Sequence, residues 1–330
     1  MKPYPKNLKL SQIGEDKLLQ WLAHFFGETF QSRFHQILLG PGDDAAILQM
    51  LGSSKKLVIT TDTLVENVHF RREWMDMEKV GKRAMAQNLS DLAAMGAKPL
   101  GCVISLVCSP EMTFGDFWDF AKGLKAYSLL YQTPLVGGNL SRGNLTMICG
   151  TFLGEPLKDR LIERKKDKIG DGIFVTGTLG ESRAALLAQI NGIKEIPKSL
   201  LERYSHPSPR LWESHKLLPF VHTMMDISDG LQKDLPRLLH HGAQIKLENL
   251  PVSPELKLFC KTMDWDPYEI AWIGGEDFEL LFTAPTPLPE NFQKSFFQEF
   301  KLPITQIGWV TQGGFEVPSF KEEKGFEHFQ

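Results

Sequence analysis

Residues 57–70 read LVITTDTLVENVHF. The first five are apolar residues closing on two threonines, the pattern of a short buried strand. The run passes straight into Asp62-Thr63. Upstream, the Gly-Pro-Gly turn at 40–42 precedes Asp43-Asp44, and residues 45–48 (AAIL) read as another strand. Further upstream, apolar residues at 13, 18, 19, 22, 25 and 26 predict a helix over 12–26, with Ser11 placed to cap it. Downstream, Val80, Ala84, Leu89, Leu92 and Ala93 predict a helix over 78–96 that Gly96 stops. A strand over 101–107, an amphipathic helix over 114–131 and a strand over 147–153 follow, with Gly137-Gly138-Asn139 between the last two. Strands and helices alternate, which predicts an α/β or α+β fold.

Residues 158–171 (KDRLIERKKDKIGD) contain no long apolar run and form the expected domain boundary. The two units are then 1–157 and 158–330, the second an α/β unit. The second restarts with a strand over 172–176. A glycine turn at 177–180 opens a helix over 181–190, and the alternation ends at a strand over 307–310.

With 330 residues, 42% hydrophobic and 23% charged, the chain has material for two ordinary globular cores. A formal net charge of −3 gives no basic surplus to draw it to nucleic acid or an anionic membrane surface. The charged N-terminus has no signal-peptide core, and no stretch reaches the ~18 apolar residues of a membrane span. Cys102, Cys108, Cys149 and Cys260 show no C-x-x-C spacing and read as reduced thiols. A soluble, cytoplasmic protein is expected.

Five short segments carry the chemistry: Gly42-Asp43-Asp44, Thr60-Thr61-Asp62-Thr63, Asn88-Leu89-Ser90-Asp91, Asp226-Ile227-Ser228-Asp229-Gly230 and Gly274-Gly275-Glu276-Asp277. Each sets a carboxylate beside a hydroxyl or small residue, at a predicted strand–loop junction or a helix edge. Any one of them is ordinary turn chemistry. Five together predict a site of hard oxygen ligands, suited to Mg²⁺ rather than zinc or copper. Carboxylates gathered in one place repel unless a cation bridges them, and that cation also holds phosphate oxygens. No G-x-x-x-x-G-K-[ST] loop, H-R-D loop or dinucleotide fingerprint is present, so neither a P-loop nor a protein-kinase site binds the nucleotide. Taken alone, His69 reads as structural, and Arg142 and Arg164 read as either phosphate contacts or solvated side chains.

The segments GPGDDAAIL (40–48), TTDTLVENVHF (60–70), NLSDLAAMGAKPLG (88–101), GGNLSRG (137–143), HPSPR (206–210), DISDGL (226–231), GGEDFELLFT (274–283) and KGFEHF (324–329) run in order through the chain. Together they resemble the thiamine-monophosphate kinase family, within the superfamily of aminoimidazole ribonucleotide synthetase and selenophosphate synthetase. The resemblance implies two α/β domains, 1–157 binding metal and ATP and 158–330 following it, with N-terminal sheets of two protomers forming a barrel-like homodimer interface. It implies transfer of the γ-phosphoryl of ATP to thiamine monophosphate with several Mg²⁺ ions. Metal positions carry over to Asp44, Thr60, Thr61, Asp62, Asp91, Asp226 and Asp229, with Asp62, Asp91 and Asp226 central to catalysis. Gly138, Arg164 and Ser228 match ATP positions; His69, Glu276 and Phe326 match acceptor positions. Asn139 departs from the family, where an Asp ligand is usual. An amide oxygen still coordinates Mg²⁺ but brings no charge, so Mg²⁺ binding weaker than in an Asn139→Asp variant is expected. The alternatives are another ATP-dependent synthetase of the superfamily, or a non-catalytic Mg²⁺/nucleotide-binding protein.

Overall fold

The computed structural model describes residues 36–318 apart from 41, 42, 51, 53, 158 and 159, and five separate positions before them. The helix expected over 12–26 falls mostly outside the described residues, and the segment from Phe320 onward, with Phe326, falls wholly outside them.

Six strands build the first sheet: β1 (Ile37–Leu39), β2 (Ala46–Gln49), β3 (Lys56–Val65), β4 (Ala97–Cys108), β5 (Leu135–Arg142) and β6 (Met147–Pro156). Their order is β1-β2-β3-β6-β4-β5, and only the β4–β5 pair is parallel. β3 runs past the five residues expected of it. Leu64 is buried, and β6 supplies partners as far as Met147, so the ladder continues through Thr60↔Phe152, Asp62↔Gly150 and Val65↔Met147. The T-T-D-T motif therefore lies within a strand, where its spacing is rigid, rather than at the junction after one. Gly137-Gly138-Asn139 is likewise inside β5.

Helix α1 (Met77–Ala94) packs on β3, β6 and β4 and also meets the second sheet. Asp76 caps it through a bond from the Lys79 amide. A helix covered on all sides is buried all round, and α1 buries even Arg83, Gln87, Asn88 and Ser90. Polar side chains enclosed in this way need partners, and α1 finds several of them in the functional site. Helix α2 (Phe114–Leu130), closed by a Thr113/Asp116 capping box, packs on α1.

The second sheet contains β7 (Gly172–Thr176), β8 (Thr223–Asp226), β9 (Gly242–Ile245), β10 (Leu280–Ala284), β11 (Ile304–Thr311) and β12 (Phe315–Glu316), in the order β12-β9-β11-β7-β10-β8. Only β9–β12 is parallel. β7 and β10 are buried on both faces, as strands between two layers must be. Phe174 and Phe282, neighbours in register, face the core shared with α1 and the first sheet. Ile173, Val175 and Leu281 face a second core with Leu231, Leu235 and Trp272. The helices of this half are α3 (Glu181–Ile190), α4 (Lys198–Ser205), α5 (Leu211–Leu217), α6 (Leu231–Leu238), α7 (Pro254–Met263), α8 (Pro267–Ile273) and α9 (Glu290–Phe300). The expected fold of two α/β units with mixed sheets is present. No helix among the described residues is long and apolar enough to cross a membrane. The first sheet is open in the single chain, with β5 as a bare edge whose eight residues are all exposed.

Candidate active site

Positions 83, 87, 90 and 91 share one face of a helix. From that face of α1, Gln87 and Asp91 line a cavity of about 680 Å³ between the two sheets. Asp91 accepts a 2.5 Å hydrogen bond from the Thr60 hydroxyl of β3. Ser90 donates to Asp226, at the end of β8, over 2.6 Å. Asp44 receives Nε of Arg164 at 3.0 Å and a second bond from Nη2, the two-pronged arrangement a guanidinium offers a carboxylate. The backbone N–H of Arg164 donates to Asp43. Asp44, Asp91 and Asp226, from three separate segments, thus come together, with an oxygen from each within 4.8 Å of the others.

The electrostatics of this cluster follow from its crowding. Burial, and then the charges of Asp62, Asp226 and Asp44, push the Asp91 carboxyl well above the usual range. Burial and Asp44 do the same to Asp226. Asp62 is pushed up to about 7 by burial, then by Asp229 and Glu276. Asp43 rises to about 6 through burial and its neighbour Asp44. Carboxylates, threonine hydroxyls and backbone carbonyls are the donors Mg²⁺ prefers. A divalent cation would relieve the repulsion that otherwise favours their protonation. The residues present fit such an ion.

His69, Trp74, Tyr204 and Glu276 line the same cavity. His69 accepts the Val65 N–H at Nδ1 over 2.9 Å, which makes Nε2 the protonated nitrogen of the neutral ring. Glu276 lies in the loop between α8 and β10. Its backbone is left-handed (φ 63°) and its N–H donates to the Ser228 carbonyl. Gly275 beside it permits this approach, since a Cβ there would come within 2.2 Å of that same carbonyl oxygen. The next carboxylates of the loop are structural. Asp277 accepts the Gly180 and Ser182 amides and so caps α3. Glu279, fully buried, accepts Thr176, Arg203 and Arg210. The HPSPR and GGEDFEL segments are therefore two sides of one buried ion cluster, which holds Glu279 in its charged form below the usual carboxylate range despite its burial.

Asp44, Thr60, Thr61, Asp62, His69, Asp91, Arg164, Asp226, Ser228, Asp229 and Glu276 all border the one cavity. Asp229 and Ser228 are set by their own amides, which both donate to Asp234. Gly138 and Asn139 are not brought in. β5 lies beyond β4 and β6 from β3, three strand spacings or about 14 Å away. Gly138 has a local reason to be glycine, because a Cβ would sit 2.0 Å from the Ile104 carbonyl oxygen on β4. Sequence reasoning missed Arg83, Trp74 and Tyr204. The only available signal for Arg83 was a charged residue in the interior of a predicted helix.

Residues 42–155 match the family model of AIR synthase related protein, N-terminal domain, and residues 168–319 match that of AIR synthase related protein, C-terminal domain. Thiamine-monophosphate kinase of Aquifex aeolicus (strain VF5) is 34% identical over 330 residues, spanning 98% of this chain and 100% of the relative. Thiamine-monophosphate kinase of Escherichia coli (strain K12) is 33% identical over 325 residues, spanning 93% of this chain and 97% of the relative. The solved structure of AaThiL complexed with AMPPCP and TMP is similar with a TM-score of 0.83 at 33% identity, covering 98% of this chain and 100% of that one.

Proposed function

From the premise that this chain belongs to the thiamine-monophosphate kinase family, within the wider AIR synthase related group, we propose that it transfers the γ-phosphoryl of ATP to the phosphate of thiamine monophosphate. The observation that carries this reading is one cavity lined both by the Asp44–Asp91–Asp226 cluster and by Glu276 with His69. Asp44, Asp91 and Asp226 would hold magnesium, assisted by Thr60, Thr61, Asp62 and Asp229. When bound, magnesium neutralises phosphate charge and stabilises the charge of the transition state. Arg164 orients Asp44 and, with Ser228, faces the donor phosphates. Glu276 offers a negative charge to the cationic heterocycle of the acceptor, and His69 offers Nε2–H. The acceptor phosphate is ionised at neutral pH, so no side chain has to remove a proton from it. Direct transfer without a phosphorylated side chain follows.

We assign dimerisation and most of the metal ligands to 1–157, with Arg164, Asp226, Ser228, Asp229 and Glu276 contributed to the same cleft by 158–330. The exposed apolar residues Leu135, Val136 and Leu140 of β5 support a homodimer through this edge. Four free cysteines fit a reducing cytoplasm. The test is product analysis. ATP and thiamine monophosphate should yield ADP and thiamine diphosphate in equal amounts, only with Mg²⁺ present. ADP release that does not depend on thiamine monophosphate would overturn the assignment.

A further inference from the structure

Arg83 is an almost fully buried cation behind Tyr204 and Glu276, two residues that line the cavity. It belongs to α1, in the first half of the chain, yet it reaches the loop that carries Glu276 in the second half. Its side chain is 1% exposed. Nη1 donates to the Tyr204 carbonyl over 2.6 Å, Nη2 donates to Glu276 Oε1, and the guanidinium carbon lies 5.3 Å from the centre of the Tyr204 ring. Nε, also buried, has no hydrogen-bond partner. Burying a guanidinium with one N–H unsatisfied is costly, and a hydrophobic side chain on this apolar helix would avoid that cost. The arrangement makes sense when the charge serves its partner. Glu276 is 31% exposed and opens onto the cavity. It sits among acidic neighbours, including Asp62, whose carboxyl it helps to raise. Without a fixed cation behind it, Glu276 would be repelled by these neighbours and free to change rotamer.

We infer that Arg83 is a positioning residue: it holds Glu276 in place at the cavity wall and thereby sets recognition of the cationic acceptor. This rests on the proposed function in one respect, the role of Glu276 as an acceptor contact. Arg83 touches neither substrate itself. It reaches Glu276 and Tyr204 together because a guanidinium is a planar fork, whereas a lysine ammonium at the end of a shorter side chain serves the two less well. α1 then serves both substrates, with Arg83 fixing the acceptor carboxylate and Ser90 and Asp91 fixing the donor cluster two turns later.

The test is a double-mutant cycle of Arg83→Met, Glu276→Gln and the pair, with Arg83→Lys as the conservative variant and both substrates titrated. Arg83→Met should raise KM for thiamine monophosphate by about 10- to 100-fold while KM for ATP changes less than about twofold. Arg83→Lys should recover part of that loss. In the Glu276→Gln background, Arg83→Met should add less than about twofold, because its effect runs through the missing carboxylate. Independent, multiplying effects, or equal rises in both KM values, would overturn the inference. Should Arg83→Met fail to fold, the same cycle is run with Arg83→Lys. A wild-type enzyme that makes no thiamine diphosphate sinks the functional reading and this inference together. A working wild type with an unaffected Arg83→Met sinks the inference alone.

Discussion

Replacing Asp91 by Asn is expected to lower kcat by about 10³-fold or more, corresponding to several kcal/mol of lost transition-state stabilisation, while raising the melting temperature of the magnesium-free protein. Both effects come from the same geometry. Asp91 is held by Thr60 and crowded by Asp62, Asp226 and Asp44. An asparagine keeps the shape and can still accept the threonine hydrogen bond, but removes one of the charges that cannot comfortably coexist without a cation. The magnesium-free fold is therefore relieved of repulsion and gains a few degrees, whereas the loaded site loses a charged ligand. Thermal melting without metal and steady-state turnover with it, measured on one preparation, check the two halves. Near-wild-type turnover would contradict a role for Asp91 at the metal. Loss of both stability and turnover would mark it as a structural residue.

The stabilisation that magnesium confers should grow steeply with pH. The folded protein holds protons on Asp62 up to about pH 7, with Asp91 and Asp226 also raised, whereas unfolded aspartates release theirs near the ordinary value of 3.8. A folded pKa above the unfolded one gives stability that is complete below the unfolded value and is lost as pH rises through the folded value. Between about pH 4 and 7 these groups therefore make the magnesium-free protein progressively less stable. A cation needs the same oxygens deprotonated, so protons and magnesium compete. His206 and His215, lowered by burial, act in the opposite direction. Their contribution cancels when melting with and without magnesium is compared at each pH. The magnesium-induced rise in melting temperature should be small at pH 5 and at least about twofold larger at pH 8. A shift independent of pH would place magnesium elsewhere than on these carboxylates.

Most of the chain's elements were legible as patterns because burial in this fold follows ordinary periodicities. The strand over 172–176 and the helix over 181–190 have the boundaries the pattern gives, and α1 ends two residues before Gly96, which has a left-handed backbone. What failed was long-range pairing. Nothing local says that β3 continues through Asp62, because β6, about 90 residues later, supplies the ladder. Pairing also explains Asn139: parallel alignment with β4 puts it on the sheet edge, away from the Asp44–Asp91–Asp226 cluster. Motif residues from five segments border the cavity, whereas Gly138 and Asn139 of the GGNLSRG segment do not and Phe326 lies outside the described residues. Arg83 was not legible, because a single arginine inside a helix has no motif. Its meaning appears only when a loop nearly 200 residues away folds against it.

The central claim is that Asp44, Asp91 and Asp226 together hold the cation that binds the donor phosphates. It is tested most directly by anomalous diffraction from crystals grown with Mn²⁺ and a non-hydrolysable ATP analogue. A manganese peak among these three carboxylates, next to the analogue's phosphates, is the expected result. Clear density for the analogue with no peak among the three carboxylates would contradict it.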